Sequence, residues 1–138
     1  MLQLHTDSDP DSLGDARRQV RGAMVDAGLA VDSVTAMEVA VGEALSNCYR
    51  HAYASGSGPV SVDVITTVDG LTVVVRDKGS ATVAPAIPSV LPSRTASGGR
   101  GLYMVCQLAD DVQIDVNESG HGITVRMTAR LGPVGARA

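Results

Sequence analysis

The sequence predicts an α+β fold: a two-layer sandwich in which a mixed, mostly antiparallel sheet carries helices on one face. Three observations predict it. Two long stretches, Ser12 to Ala27 and Met37 to Tyr53, repeat apolar residues at helical spacing. Several short stretches rich in Val, Ile and Thr alternate or run apolar, as strands do, with turn signals at Asp69-Gly70 and at Asn117 to Gly122. The order strand, helix, helix, two strands, long loop, helix, two strands shows no repeat, so residues 1–138 read as one domain.

Each element follows from local chemistry. Leu2 and Leu4 alternate with polar residues and read as a short first strand. Asp7 to Asp11 is a turn, with Pro10 near a helix start. Leu13, Ala16, Val20, Met24 and Ala27 form the apolar face of the first helix, and Gly28 supplies its stop. Arg17, Arg18 and Arg21 share the opposite side, either as a solvated face or as a docking surface. Asp32 or Ser33 is expected to cap the second helix, whose core stripe is Met37, Ala40, Val41, Ala44, Leu45 and Cys48. That helix should fade after Tyr53, into a loop from Ala54 to Pro59. Val60, Val62 and Val64 alternate with Ser61 and Asp63 as a half-buried strand. Asp69-Gly70 is a two-residue hairpin signal, and the apolar run Leu71 to Val75 suits a central strand. From Ser80 to Ser97, Pro85, Pro88 and Pro92 exclude a regular helix or central strand. Ser97 to Gly101 then opens a helix from Leu102 to Leu108. Val112 to Val116 and Ile123 to Met127 are the last strands, and Gly132 to Ala138 is expected to fray.

Composition bounds the function. The chain is 44% hydrophobic but 2% aromatic, with no Phe or Trp, so its core is built from Val, Leu, Ile, Ala and Met. A net charge of -4 argues against direct binding to nucleic acid. No apolar run approaches membrane-spanning length, and Met1 to Asp7 lacks a secretory pattern, so a cytoplasmic protein free of the membrane is expected. Cys48 and Cys106 stand far apart without a CxxC motif and read as reduced thiols.

Three stretches carry chemistry. Glu43, Asn47 and His51 fall four residues apart, on a stripe beside the core stripe of the second helix. Such a row is either a solvated polar face or one wall of a cleft that holds a metal ion and activates a hydroxyl. Asp77-Lys78-Gly79 directly follows a strand. Gly99-Arg100-Gly101-Leu102 opens a helix, where free backbone N–H groups can meet an anion. No Lys-Ser/Thr follows these glycines and no strand runs into them, which excludes a P-loop and a dinucleotide fingerprint. A structureless loop as long as the one between the last two stretches is functional or mobile in a compact domain.

In this order and spacing the three stretches resemble the GHKL ATPases, the superfamily of gyrase, MutL and the histidine kinases, which share the Bergerat ATP-binding fold. Within it, Glu43-Ala44-Leu45-Ser46-Asn47, His51-Ala52-Tyr53 and Leu108-Ala109-Asp110-Asp111-Val112 look most like the bacterial anti-sigma factor serine/threonine kinases. The resemblance covers almost the whole chain.

It implies ATP and Mg²⁺ as ligands, with Asn47 as the Mg²⁺ ligand and Glu43 as the general base. Asp77 would accept a hydrogen bond from the adenine amino group, and Gly79 would leave room for the base. Gly99, Gly101 and the start of the helix at Leu102 would approach the phosphates, beneath an ATP lid over residues 80–98. Either Arg94 or Arg100 would neutralise the γ-phosphate. His51 is either a packed or capping histidine or a phosphate contact. The family often carries a Gly-Thr pair in its last hairpin; here the place reads Gly122-Ile123-Thr124, with Thr124 as the threonine available to a nucleotide. The implied partners are a sigma factor, an anti-anti-sigma protein of the STAS type and a second copy of the chain, in transcription regulation under stress. Two other readings stay open: a switch kinase acting on a scaffold protein, and an ATP-binding interaction module with little catalysis. The phosphoacceptor helix pair of histidine kinases is absent, so autophosphorylation on histidine is not implied.

Overall fold

The computed structural model describes residues 1–54, 56–92 and 100–131, with Arg100 described through its backbone. The expectations for Arg94, Gly99, lid residues 93–98 and the frayed tail lie outside the described residues. The elements are β1 (Leu2–Asp7), α1 (Pro10–Asp26), α2 (Val31–Asn47), β2 (Pro59–Thr66), β3 (Gly70–Asp77), α3 (Arg100–Leu108), β4 (Asp111–Val116) and β5 (Ile123–Arg130). A π-helical turn, Cys48–Ala52, prolongs α2.

The strands form one five-stranded sheet in the order β1-β2-β3-β5-β4. Every pairing is antiparallel, so the described sheet has no parallel component. Period-two alternation assigns its faces. Leu4, Val62, Val75, Val125 and Ile114 lie on the helix side of their strands, in one row across the sheet. Arg76, Thr124 and Asp115 belong to the other side. The central run Leu71 to Val75 is buried throughout apart from half-buried Thr72, as its composition predicts.

Against this face pack the stripes read from the sequence. Leu13, Ala16, Val20 and Met24 of α1 and Met37, Ala40, Val41, Ala44 and Leu45 of α2 are all buried. Helix starts differ from expectation. Asp9, one residue before Pro10, caps α1 by accepting from the Ser12 N–H at 2.9 Å. α2 starts at Val31 after Ala30, with no side-chain cap, so neither Asp32 nor Ser33 serves. Gly28 ends α1 as expected, at φ +84°.

The β2–β3 hairpin turns one residue earlier than Asp69-Gly70 suggests. The Thr67 N–H donates to the Gly70 carbonyl at 2.8 Å, which leaves Val68-Asp69 as the loop. Gly70 is small for a different reason: a Cβ there would stand 2.7 Å from the Ala129 carbonyl oxygen on β5. α3 also starts earlier, so Arg100 and Gly101 lie in its first turn and not in a preceding loop.

Met127 on β5 is fully buried, at 0% exposure, in the layer between sheet and helices. Truncating a buried methionine costs about 2–5 kcal/mol, through lost transfer energy and the cavity left behind. Met127→Ala is expected to lower the unfolding free energy by that amount in urea titrations without changing the far-ultraviolet dichroism of the folded state.

Candidate functional site

A cavity of about 290 Å³ opens where the C-terminal end of α2 faces the ends of β3 and β5. Asn47, Cys48, His51 and Ala52 form its helix wall, and Val75, Asp77, Ile123 and Val125 its sheet wall. Ala81, Val83 and Pro85 border it from the loop after β3, and Leu102 from α3. The lining is mostly apolar with few polar groups, as in small-molecule sites.

Asp77 ends β3 on the helix-facing side and is 7% exposed. A buried carboxylate needs donors, and the backbone supplies them: Gly79 N–H at 2.9 Å and Ile123 N–H at 3.1 Å both donate to Oδ1. Among the described residues both bonds fall on Oδ1, which leaves Oδ2 to accept from the cavity. The strand end is held from outside as well, since Asn117 Nδ2 donates to the Asp77 carbonyl at 2.8 Å.

On the opposite wall, Asn47 is half-buried and borders the cavity, and His51 is exposed at its rim. Glu43 stands one turn back, outside the lining, against the start of α3. A Cβ built on Gly101 would meet Glu43 Oε2 at 2.7 Å and Asn47 Oδ1 at 3.7 Å. The glycine therefore lets the first turn of α3 approach both polar side chains of α2. Cys48 packs behind them, and burial, with Asp77 adding to it, pushes its thiol up to about 12, so it stays protonated and inert.

The structure thus brings together Asn47, His51, Asp77 and Leu102 around one cavity, with Glu43 and Gly101 beside it. Gly79 is required for a reason other than space for a ligand. A Cβ there would lie 2.2 Å from the Ala52 carbonyl oxygen, so its smallness admits the π-helical turn. Thr124 departs from the expected nucleotide contact. It lies on the far face of β5, where Arg76 Nε donates to its hydroxyl at 3.0 Å and the hydroxyl donates to Asn117 Oδ1 at 2.5 Å. The side chain aimed into the cavity is its neighbour Ile123, because successive residues of a strand alternate. The Arg100 side chain, with Arg94 and Gly99, lies outside the described residues.

The root of the expected lid is tied down on two sides. The Ser80 N–H donates to the Ala52 carbonyl at 3.4 Å, and the Gly122 N–H to the Ala81 carbonyl at 2.9 Å. His121 Nδ1 lies 3.0 Å from the Gly79 carbonyl oxygen. Residues 82–92 continue without helix or strand. Sequence reasoning missed Asn117 as part of the site and, within Gly122-Ile123-Thr124, pointed to Thr124 where Ile123 faces the cavity. Asn117 lies 40 residues from Asp77, and only its place in a turn marked it.

Among the described residues no group of three or more His, Cys, Asp or Glu side chains could hold a metal ion. On the helix wall the oxygen donor is Asn47 Oδ1, beside an inert Cys48 and a His51 at the rim. This set fits a hard ion such as Mg²⁺, which keeps waters and takes most of its ligands from substrate phosphates. It does not fit zinc, which favours nitrogen and sulfur ligands. Also among the described residues, no helix is long and apolar enough to cross a membrane.

An α+β sandwich with Asn47 facing the buried strand-end Asp77 is the arrangement that the resemblance to the GHKL ATPases implies. The chain belongs to the histidine kinase-like ATPase family, whose domain matches residues 6–129. It is similar to the serine-protein kinase RsbW of Bacillus velezensis, with 30% identity over 94% of this chain and 85% of the relative. RsbW of Bacillus subtilis is 29% identical over the same shares. The fold matches a crystal structure of the RsbU and RsbW domains of a Mycobacterium tuberculosis protein with a TM-score of 0.64, at 21% identity. That match covers 96% of this chain and 34% of the other.

The two glycines predict opposite responses. At Gly79 a Cβ meets backbone, which cannot yield, so Gly79→Ala should lower the melting temperature. At Gly101 it meets the end of a flexible side chain, and alanine in a helix gains about 1 kcal/mol of propensity over glycine. Gly101→Ala should therefore melt no lower than wild type while displacing Glu43. Thermal denaturation of the two variants checks both.

Proposed function

We propose that this chain is an anti-sigma factor with serine/threonine protein kinase activity, which binds Mg-ATP and phosphorylates an anti-anti-sigma antagonist. The observation that carries the reading is the pairing of Asn47 and Asp77 on opposite walls of one cavity, with Glu43 next to Gly101 at its edge. Resemblance to serine-protein kinases over most of the chain supports it.

The residues divide the work. Asp77 Oδ2 accepts the adenine amino N–H, and Val75, Ile123 and Cys48 give the base an apolar bed. Asn47 Oδ1 would hold Mg²⁺, and the bound ion would supply positive charge against the phosphates. The first turn of α3, which Gly101 lets approach Glu43 and Asn47, would present its backbone N–H groups to the phosphates. Glu43 takes the proton of the partner's Ser or Thr hydroxyl as its oxygen attacks the γ-phosphorus; the bond to the β-phosphate oxygen breaks and ADP leaves.

Partner contact falls to α1. Arg18 pairs with Asp15, and Arg21 Nε lies 2.9 Å from Glu38 Oε2. Arg17 makes no ion pair among the described residues and lies over Gly42, beside a groove of about 200 Å³ shared with Leu13, Leu45 and Tyr49. Of the three arginines it is the one with its charge unspent. A cytoplasmic homodimer that binds one sigma factor, or the STAS-type antagonist, through this helix completes the reading.

Two measurements test it. With labelled ATP, Mg²⁺ and the antagonist, wild type should transfer phosphate to a Ser or Thr. Glu43→Ala should lose about 10²- to 10⁴-fold in rate with nucleotide affinity kept, the scale of a lost general base. Asn47→Ala should lose Mg-nucleotide affinity as well. Full activity in Glu43→Ala would refute the base assignment.

In pull-down or calorimetric titration, Arg17→Glu should weaken partner binding and leave ATP affinity alone. Equal loss of both would show that Arg17 supports the fold rather than an interface.

A further inference from the structure

We propose that Tyr53 is a positioning residue, whose hydroxyl replaces a missing rung between β2 and β3 and so fixes where Asp77 presents its carboxylate. The inference rests on the nucleotide reading given above.

The β2–β3 ladder pairs Val60 with Asp77 as its last rung on this side. Continued by one step, an antiparallel ladder would set Pro59 opposite Lys78. Instead the Tyr53 hydroxyl stands between them. It donates to the Pro59 carbonyl at 2.5 Å and accepts from the Lys78 N–H at 2.8 Å. One hydroxyl is both donor and acceptor, which is what a rung opened by one group requires. The strands are thereby spread at the residue that follows Asp77.

The ring that carries the hydroxyl is seated firmly. A Cβ at Gly58 would lie 2.4 Å from Tyr53 Cζ, so the ring lies flush on that glycine. Gly58 is itself fixed, its N–H donating to Ser8 Oγ at 3.1 Å and its carbonyl accepting from the Ser8 N–H at 2.9 Å. Burial raises the phenol of Tyr53 above its ordinary value, with the charge of Asp77 adding to it, so the hydroxyl keeps its proton.

Tyr53 directly follows the π-helical turn, and Ala52 before it takes the Ser80 N–H and packs against Gly79. Two consecutive residues, the last of the π-helical turn and the one after it, thus grip Lys78, Gly79 and Ser80. Ile123 and Asn117 tie Asp77 to the start of β5 and the turn before it, and among the described residues the bonds of Ala52 and Tyr53 tie the chain after Asp77 to the segment that continues the helix of Asn47. Core packing holds the two walls together beneath the cavity, and Tyr53 fixes the end of the base wall relative to the phosphate wall.

Tyr53→Phe removes the hydroxyl and keeps the ring. Calorimetry with ATP, GTP and inorganic tripolyphosphate is combined with amide exchange at Lys78. Leu71→Ala, a buried truncation at the far end of β3, serves as a control for lost stability. The preference for ATP over GTP should fall about tenfold in Tyr53→Phe, with tripolyphosphate affinity unchanged and Lys78 exchange faster; Leu71→Ala should lower the melting temperature and keep the preference. An unchanged ATP/GTP ratio in Tyr53→Phe, or losses equal for ATP and tripolyphosphate, overturns the proposal. If wild type binds none of the three ligands, the nucleotide reading falls. Lys78 exchange then decides the clamp alone: faster in Tyr53→Phe upholds it, unchanged overturns it.

Discussion

A carboxylate with 7% of its surface exposed must be met by hydrogen-bond donors, and Asp77 meets two that belong to different parts of the chain. One is the backbone of Gly79, two residues on; the other is the backbone of Ile123, the first residue of β5. Satisfying this one group therefore fixes the chain reversal after β3 and seats the start of β5 beside it. The turn before β5 follows, because Asn117 takes hold of the Asp77 carbonyl, and Gly122 has to be glycine to pass so close: a Cβ there would lie 2.7 Å from that carbonyl oxygen. Much of the local geometry answers to one ionisable side chain at a strand end.

The other wall is set by small residues. Gly101 admits Glu43 and Asn47 to the first turn of α3, and Gly79 admits the π-helical turn. Neither has a positive φ, so neither is glycine for the sake of backbone freedom. Both are glycine because another group occupies the space a Cβ would take. The apolar floor between the walls comes from Val75, Val125 and Ala44, residues that also close the core. Site and core share side chains here, and rigidity at the cavity follows from packing beneath it.

The sequence made the layers legible because they depend on period alone. Both apolar helix stripes and the alternating strands needed no knowledge of what they would face, and they fell where the spacing put them. Helix starts are less legible, because a cap is one side chain among several candidates: Asp9 caps α1, and neither Asp32 nor Ser33 caps α2. Of the site, the row on α2 and the strand-end Asp77 could be read, since each is local. Thr124 could not be placed, because a shift of one residue along a strand exchanges its faces. The contact of Asn117 with Asp77 could not be read either, because a turn residue shows its own loop and not the strand that loop will touch.

The sheet order β1-β2-β3-β5-β4 has a consequence for synthesis. The described strand made last, β5, does not sit at an edge but between β3 and β4. Until it emerges, β3 has an open side, with the apolar run Leu71 to Val75 and a row of unpaired backbone groups in view of other chains. β4, already made, has no neighbour to pair with. A nascent chain halted between Asp77 and Ile123 therefore carries an adhesive strand that the finished protein hides in its centre. The window is short, but it is when a holding chaperone matters most.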